Sequence, residues 1–183
     1  VLAYLAFLNQ VNDLTIPSVS HHVAEQTAAV VYCEANFAGL DGKTAHGLVR
    51  FCEAFKIRAI IDSQSAGLDA GFLLDGISNG IPIVADLSKA LALPGPCATT
   101  FIYGMAPADG LYGKDDRRVL MLAIEAGLNL VSGMREFLND DSEFALAAAR
   151  HNVSIRDVRR PPALKDLRLF SGSIAKARCI RIA

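Results

Sequence analysis

The chain has 183 residues, 52% of them hydrophobic, with no Trp and a formal net charge of −1. That length suffices for one globular domain burying about 70% of the surface its unfolded chain exposes, and the balanced, interspersed charge excludes a basic nucleic-acid footprint. Residues 1–8 are far fewer than the roughly 20 apolar residues that span a bilayer and lack the basic start and cleavage site of a signal peptide, so no membrane partner and a cytoplasmic location are the default expectations.

Residues 1–27 show no clear period and carry His21-His22; a helix and loop extension is expected there. Ala28-Ala29-Val30-Val31-Tyr32 is a short run rich in branched side chains, as a strand buried on both faces should be. It leads through Asn36, Gly39 and Asp41 to Gly42-Lys43-Thr44, which opens a helix expected over 44–55, with Ala45, Leu48, Val49, Cys52 and Phe55 on one apolar face. The second strand is read at 57–61, followed by the loop Asp62-Ser63-Gln64-Ser65-Ala66-Gly67. A turn at 76–80 precedes a short Ile81-Pro82-Ile83-Val84 segment, and Asp86 or Ser88 caps a brief helix through Leu91.

Pro94-Gly95-Pro96 punctuates the chain before a third strand at 99–103 and its loop from Gly104 through Ala106, Pro107 and Gly110. Asp115 or Asp116 is expected to cap a helix carrying Val119, Leu120, Leu122, Ala123 and Ala126, stopped by Gly127. A fourth strand at 128–131, the turn Ser132-Gly133-Met134, a helix over 142–151 and a fifth strand at 153–158 follow, closed by Arg159-Arg160-Pro161-Pro162. Residues 165–183 read as an exit segment in which Cys179-Ile180-Arg181-Ile182 is expected to begin a strand. Cys33, Cys52, Cys97 and Cys179 contain no C-x-x-C pair, so neither a zinc site nor a disulfide framework is expected, and the thiols read as free and buried.

Alternation of strand and helix predicts an α/β fold: a Rossmann-like, doubly wound, mainly parallel sheet in three αβα layers, spanning 28–174, with 175–183 as a linker. In such sheets ligands bind outside the carboxyl ends of the strands, where strand order reverses. The loops on that edge are 34–44, 62–67, 104–113, 132–136 and 159–162. Gly42-Lys43-Thr44 imitates the end of a P-loop, but Phe37 stands where the first glycine of G-x-x-x-x-G-K-S/T belongs, and Gly39, Gly42 and Gly47 miss the dinucleotide spacing. What remains is a glycine-bearing turn with a cation and a hydroxyl, suited to phosphate or carboxylate or else simply solvated. Asp62 stands where a Rossmann domain places its ribose-binding acid, or hydrogen-bonds its own loop. Asp157 and Arg159 either hold a carboxylate or pair with each other. His46 reads as structural rather than as an acid-base group. The candidate ligand contacts are thus Asp41, Gly42, Lys43, Thr44, Asp62, Gly104, Ala106, Pro107, Gly133, Asp157 and Arg159, with no catalytic residue or metal site assigned.

Tyr32-Cys33-Glu34-Ala35-Asn36-Phe37, Leu40-Asp41-Gly42-Lys43-Thr44-Ala45, Asp62-Ser63 with Ala66-Gly67, Asp75-Gly76, Gly80-Ile81-Pro82-Ile83-Val84, Ala126-Gly127-Leu128-Asn129-Leu130-Val131-Ser132-Gly133 and Asp157-Val158-Arg159 together resemble a bacterial and archaeal two-domain family of formerly unknown function. The resemblance implies a Rossmann-like N-terminal domain followed by a P-loop domain lying beyond Ala183. One branch of that family is D-glutamate N-acetyltransferase, which uses acetyl-CoA. Gly42-Lys43-Thr44-Ala45-His46-Gly47, Asp62, Ala106-Pro107 and Glu125-Ala126-Gly127-Leu128 are also similar in order to CoA-binding Rossmann domains of the succinyl-CoA synthetase type, with Ala45 in place of a glycine. The resulting expectation is a domain that binds a small anionic molecule, with acetyl-CoA or a nucleotide as cofactor, in an acyl-CoA-dependent N-acyltransferase that forms a homo-oligomer. The rival readings are an NAD(P)-dependent oxidoreductase and a non-catalytic assembly module.

Overall fold

The computed structural model describes residues 27–167. Expectations for the extension before Thr27, for the linker and for the thiol of Cys179 lie outside the described residues. Six parallel strands, β1 (Thr27–Tyr32), β2 (Phe55–Ile61), β3 (Ile83–Val84), β4 (Thr100–Tyr103), β5 (Asn129–Ser132) and β6 (Ile155–Asp157), form one sheet in the order β3-β2-β1-β4-β5-β6. This is the Rossmann order, with the reversal between β1 and β4. Val30, Val31, Ala59, Ile60 and Phe101 are fully buried, so the central strands are covered on both faces, as their unbroken apolar runs require.

The connections are the helices α1 (Lys43–Phe51), α2 (Ala70–Asp75), α3 (Leu87–Leu91), α4 (Lys114–Glu125) and α5 (Ser142–His151). Right-handed crossovers put α1 and α2 on one face and α3, α4 and α5 on the other; α1 packs beside α2, and α4 beside α5. The helix expected over 44–55 stops at Phe51, because Cys52 turns extended and Phe55 is drawn into β2 opposite Thr27. Strand pairing there outweighs helical period. β2 bulges at Arg58, where Ala29 pairs with Ile57 and Val30 with Ala59, and the displaced guanidinium reaches the Pro94 carbonyl at 2.6 Å.

The caps explain the helix ends. α2 has no counterpart in the periodicity reading, since six residues are too few to display a period. Its ends are nevertheless written in the sequence: the Asp69 carboxylate accepts from the Phe72 N–H at 2.9 Å, and Gly76 terminates it at φ 73°. Asp86 rather than Ser88 caps α3. Neither Asp115 nor Asp116 caps α4: Gly113 precedes the helix, and Asp116, inside its first turn, reaches back to accept from the Gly113 N–H at 2.9 Å. At the other end Gly127 adopts φ 79° while Leu128 N–H donates to Ala123 O and Gly127 N–H to Ile124 O, a Schellman closure. α5 runs from the Asp141 cap to Asn152 in the left-handed region.

Of the three described thiols, Cys33 is buried, Cys52 half-buried and Cys97 exposed. The uniformly buried expectation therefore fails at Cys97, which sits in the loop behind Pro94-Gly95-Pro96 rather than on a strand.

Asp69 also accepts from the Ser78 hydroxyl and from the N–H groups of Asn79 and Gly80, folding the loop after α2 back onto its own start. These donors, led by the Phe72 N–H, lower its carboxyl to about 2. A depressed carboxyl stabilises the fold above its unfolded value of about 3.9 and ceases to do so as pH falls through the folded value. Asp69→Ala should therefore lower the urea midpoint at neutral pH, with the difference from wild type closing between about pH 4 and pH 2; urea titrations across that range measure it.

Candidate functional site

The loops following the strands meet on one edge of the sheet and are laced together across it. Asp62, 1% exposed, accepts from the N–H of Ala35 at 3.0 Å and of Gln64 at 3.1 Å, and from the Ser65 hydroxyl at 2.9 Å. The Glu34 carboxylate accepts from the Ser63 N–H at 2.9 Å and from its hydroxyl. Between the loops of β1 and β4, the Ala45 N–H donates to Gly104 O at 2.9 Å and the Ala106 N–H to Asp41 O at 2.8 Å. Farther along, the Tyr112 N–H donates to Glu136, and Val158 N–H to Ser132 O at 2.7 Å.

On the α4 side of this edge an aromatic wall forms. Tyr32 and Tyr103 occupy matching positions on β1 and β4, with ring centroids 5.9 Å apart; Tyr32 stacks on Phe101 at 5.8 Å, and Tyr112 meets Tyr103 edge-on at 5.1 Å. Burial raises all three phenols above their ordinary value, and the Asp116 carboxylate facing Tyr32 and Tyr103 adds to the effect. The Tyr112 hydroxyl is hydrogen-bonded to Ser132. These groups remain neutral at physiological pH. Burial, followed by the negative charges of Asp62 and Glu34, likewise pushes the Cys33 thiol up to about 12, so it carries no thiolate.

Two clefts open against the wall. One, of about 320 Å³, lies over the β1 and β4 loops and is lined by Tyr103, Asp41, Pro107, Asp109 and Asp116 among others. The second, of about 540 Å³, lies between α3 and α4, and Tyr32, Glu34 and Asp115 border both.

The sequence-derived contacts distribute unevenly over this geometry. Asp41 and Pro107 line the smaller cleft. Gly42 and Gly104 are buried in the backbone junction below it, with Thr44 and Ala106 half-buried beside them. Lys43 is exposed on the first turn of α1. The structure uses Asp62 as a loop staple, and it uses Asp157 in the same way: the latter accepts from the N–H groups of Leu138 and Asn139 and from the Asn139 amide, not from Arg159, which is exposed. Gly133 is exposed at the turn after β5. His46 is structural, its Nε2 2.6 Å from Phe37 O. Tyr32, Tyr103, Tyr112, Glu34 and Asp116 were not among the ligand contacts read from sequence, although Val30-Val31-Tyr32 and Phe101-Ile102-Tyr103 both end a strand in tyrosine just before its loop, a repeated signal. Arg117 is another such residue. It meets Glu136 at 3.1 Å, Asp141 at 2.5 Å and Glu143 at 3.3 Å and covers the Phe144 ring, tying α4 to the start of α5.

A reversed parallel sheet with clefts at its switch point defines a Rossmann-like domain. Comparison with known proteins gives the family. The chain belongs to the family described as "Domain of unknown function (DUF1611_N) Rossmann-like domain", whose model matches residues 63–161. It is similar to the crystal structure of a DUF1611 family protein from Anabaena variabilis ATCC 29413, with a TM-score of 0.71 and 28% identity, over 84% of this chain and 42% of that one. Two curated proteins named D-glutamate N-acetyltransferase, from a Pseudoalteromonas species and from Tritonibacter scottomollicae, are 34% and 33% identical over 64 residues. Those matches span 35% of this chain and 19% of each relative's length.

A Cβ on Gly104 would stand 2.5 Å from Val31 Cγ1, 2.9 Å from Tyr32 O and 3.0 Å from Ala45 Cβ, all in well-packed surroundings. Gly104→Ala should cost about 1 to 3 kcal/mol of stability, the range for overpacking, and should disturb the junction beneath the smaller cleft. Chemical denaturation against wild type measures the loss.

Proposed function

We propose that this chain is the Rossmann-like, ligand-binding part of an enzyme that transfers an acyl group from an acyl-CoA to the amino group of a small acidic amino acid of the D-glutamate type. The observation that carries the reading is the 64-residue similarity to two D-glutamate N-acetyltransferases within a chain of the same fold family. In this reaction the C–S bond of the donor breaks and an N–C bond forms. The ammonium group of the acceptor gives up two protons, one released to solvent and one ending on the sulfur of the departing thiol. The part of this domain is to hold and orient the reactants, with a further domain of the P-loop type completing the site.

Asp41 and Pro107 are the sequence-derived contacts assigned to the acyl-donor side, because they line the smaller cleft. Lys43 is assigned to a phosphate of the acyl donor through its side chain, which is exposed at the rim of the same edge. Lys43→Ala should then weaken acyl-CoA binding to the full-length protein by about 1 to 3 kcal/mol, the scale of a charge-assisted hydrogen bond, and leave the thermal midpoint in place; calorimetric titration checks both.

The activity itself is tested with the full-length protein, acetyl-CoA and either enantiomer of glutamate, reading free thiol and the acetylated product by mass spectrometry. Thiol release that depends on D-glutamate and exceeds that with L-glutamate is the expected result. Release with neither enantiomer would sink the acyltransferase reading.

A further inference from the structure

A dinucleotide on a Rossmann fold rests its pyrophosphate on the N–H groups of the first helix, between the loops of β1 and β4, and hydrogen-bonds a ribose hydroxyl to the acid at the end of β2. In this protein both places are occupied by the protein itself. The Ala45 N–H, on the first turn of α1, is taken by Gly104 O, and the Ala106 N–H by Asp41 O, so these donors are spent on pinning the two loops together where the pyrophosphate would lie. The close approach is specific to Gly104, which has no room for a Cβ. The Asp62 carboxylate, where the ribose acid belongs, is buried with both oxygens engaged by Ala35, Gln64 and Ser65.

Space opens next door instead. α3 is only five residues long, and a groove opens between it and α4 beside the ends of β1 and β2. The resulting groove of about 540 Å³ has Tyr32 and Ile61 as its floor and Leu87, Val119 and Leu122 as apolar walls. Three carboxylates, Glu34, Asp86 and Asp115, line it with the exposed guanidinium of Arg118, which stands on α4 at 3.7 Å from Asp115; Glu34 is oriented by Ser63 but, unlike the buried Asp62, is half-exposed. An aromatic floor beside a carboxylate is a setting for an ammonium group, and a loosely paired guanidinium suits a carboxylate.

We infer that amino-acid binding in this domain lies not at the dinucleotide seat, where Ala45, Ala106 and Asp62 are already engaged, but in the neighbouring groove between α3 and α4, and that the groove takes a small zwitterion, its amine at Glu34 and Tyr32 and its carboxylate at Arg118. The inference rests on the acyltransferase reading only for the choice of probes, since any amine-bearing acid of this size satisfies the groove.

The test is calorimetric titration of the full-length protein with D- and L-glutamate, D- and L-aspartate, the amine-free diacids glutarate and succinate, and NAD+. Binding of at least one amino acid, at least tenfold weaker binding of its amine-free counterpart, and no heat with NAD+ are expected. Glu34→Gln should reduce amino-acid affinity at least tenfold. Leu122→Trp, at a position 46% exposed on α4, should block the groove without entering the core, so it separates lost binding from lost folding when paired with a thermal melt. NAD+ binding overturns the inference, as does an amine-free acid that binds as well as its amino acid, an amino acid whose affinity neither variant changes, or the absence of binding by every amino acid at millimolar concentration. An amino acid that binds in this manner without undergoing acetylation leaves the groove assignment standing and removes the acyltransferase reading instead.

Discussion

Where β1 and β4 lie side by side, the absent side chain of Gly104 lets the chain leaving β4 come within hydrogen-bonding distance of the first turn of α1. Much of the carboxyl edge depends on that approach. It fixes the loop carrying Asp41 against the loop carrying Pro107, and hence the floor of the smaller cleft. It also removes from solvent one of the helix N-terminal donors that in related architectures is left for an anion. Polar groups that could have served a ligand are turned inward as staples. Asp62 does this between the β1 and β2 loops, and Asp157 does it between β6 and the turn before α5.

Asp116 shows how one carboxylate can serve both fold and cleft. It accepts from the Gly113 N–H and so completes the start of α4, while its charge faces the hydroxyls of Tyr32 and Tyr103. Because α4 is further anchored through Arg117 to Glu136 and Asp141, the wall of the clefts is held by contacts made outside them. A scaffold of this kind keeps cleft geometry insensitive to the ligand, which lowers the ordering cost of binding.

The Rossmann-like order and the shared loop edge were readable from the chain, because five of the parallel strands read as short apolar runs and Gly127 marks the end of α4, whereas the two-residue β3 was legible only as a short segment. Ser142 and His151 bound α5 where the periodicity puts them. Elements governed by pairing or by length were less legible: Phe55 keeps helical spacing with Cys52 but is claimed by β1, and α2 is too short to show a period. At the site, loop position was legible and side-chain commitment was not. Nothing in the spacing of Asp62 distinguishes a ribose ligand from a staple, since the difference lies in donors supplied by Ala35, 27 positions earlier in the chain. Likewise the partners of Arg117 are 19 to 26 residues away, and only the folded sheet brings them to it.

The distribution of chromophores follows from the aromatic wall. The chain has no Trp and four Tyr; of the three among the described residues, Tyr32 and Tyr103 line the smaller cleft and Tyr112 stands behind them, its ring against that of Tyr103. The tyrosine emission of the described residues therefore originates beside the clefts, in phenols close enough to exchange excitation with one another. A molecule settling against Tyr32 changes the polarity around the coupled set, so the protein carries a built-in optical gauge of its own cleft, free of the indole background that masks tyrosine in most proteins.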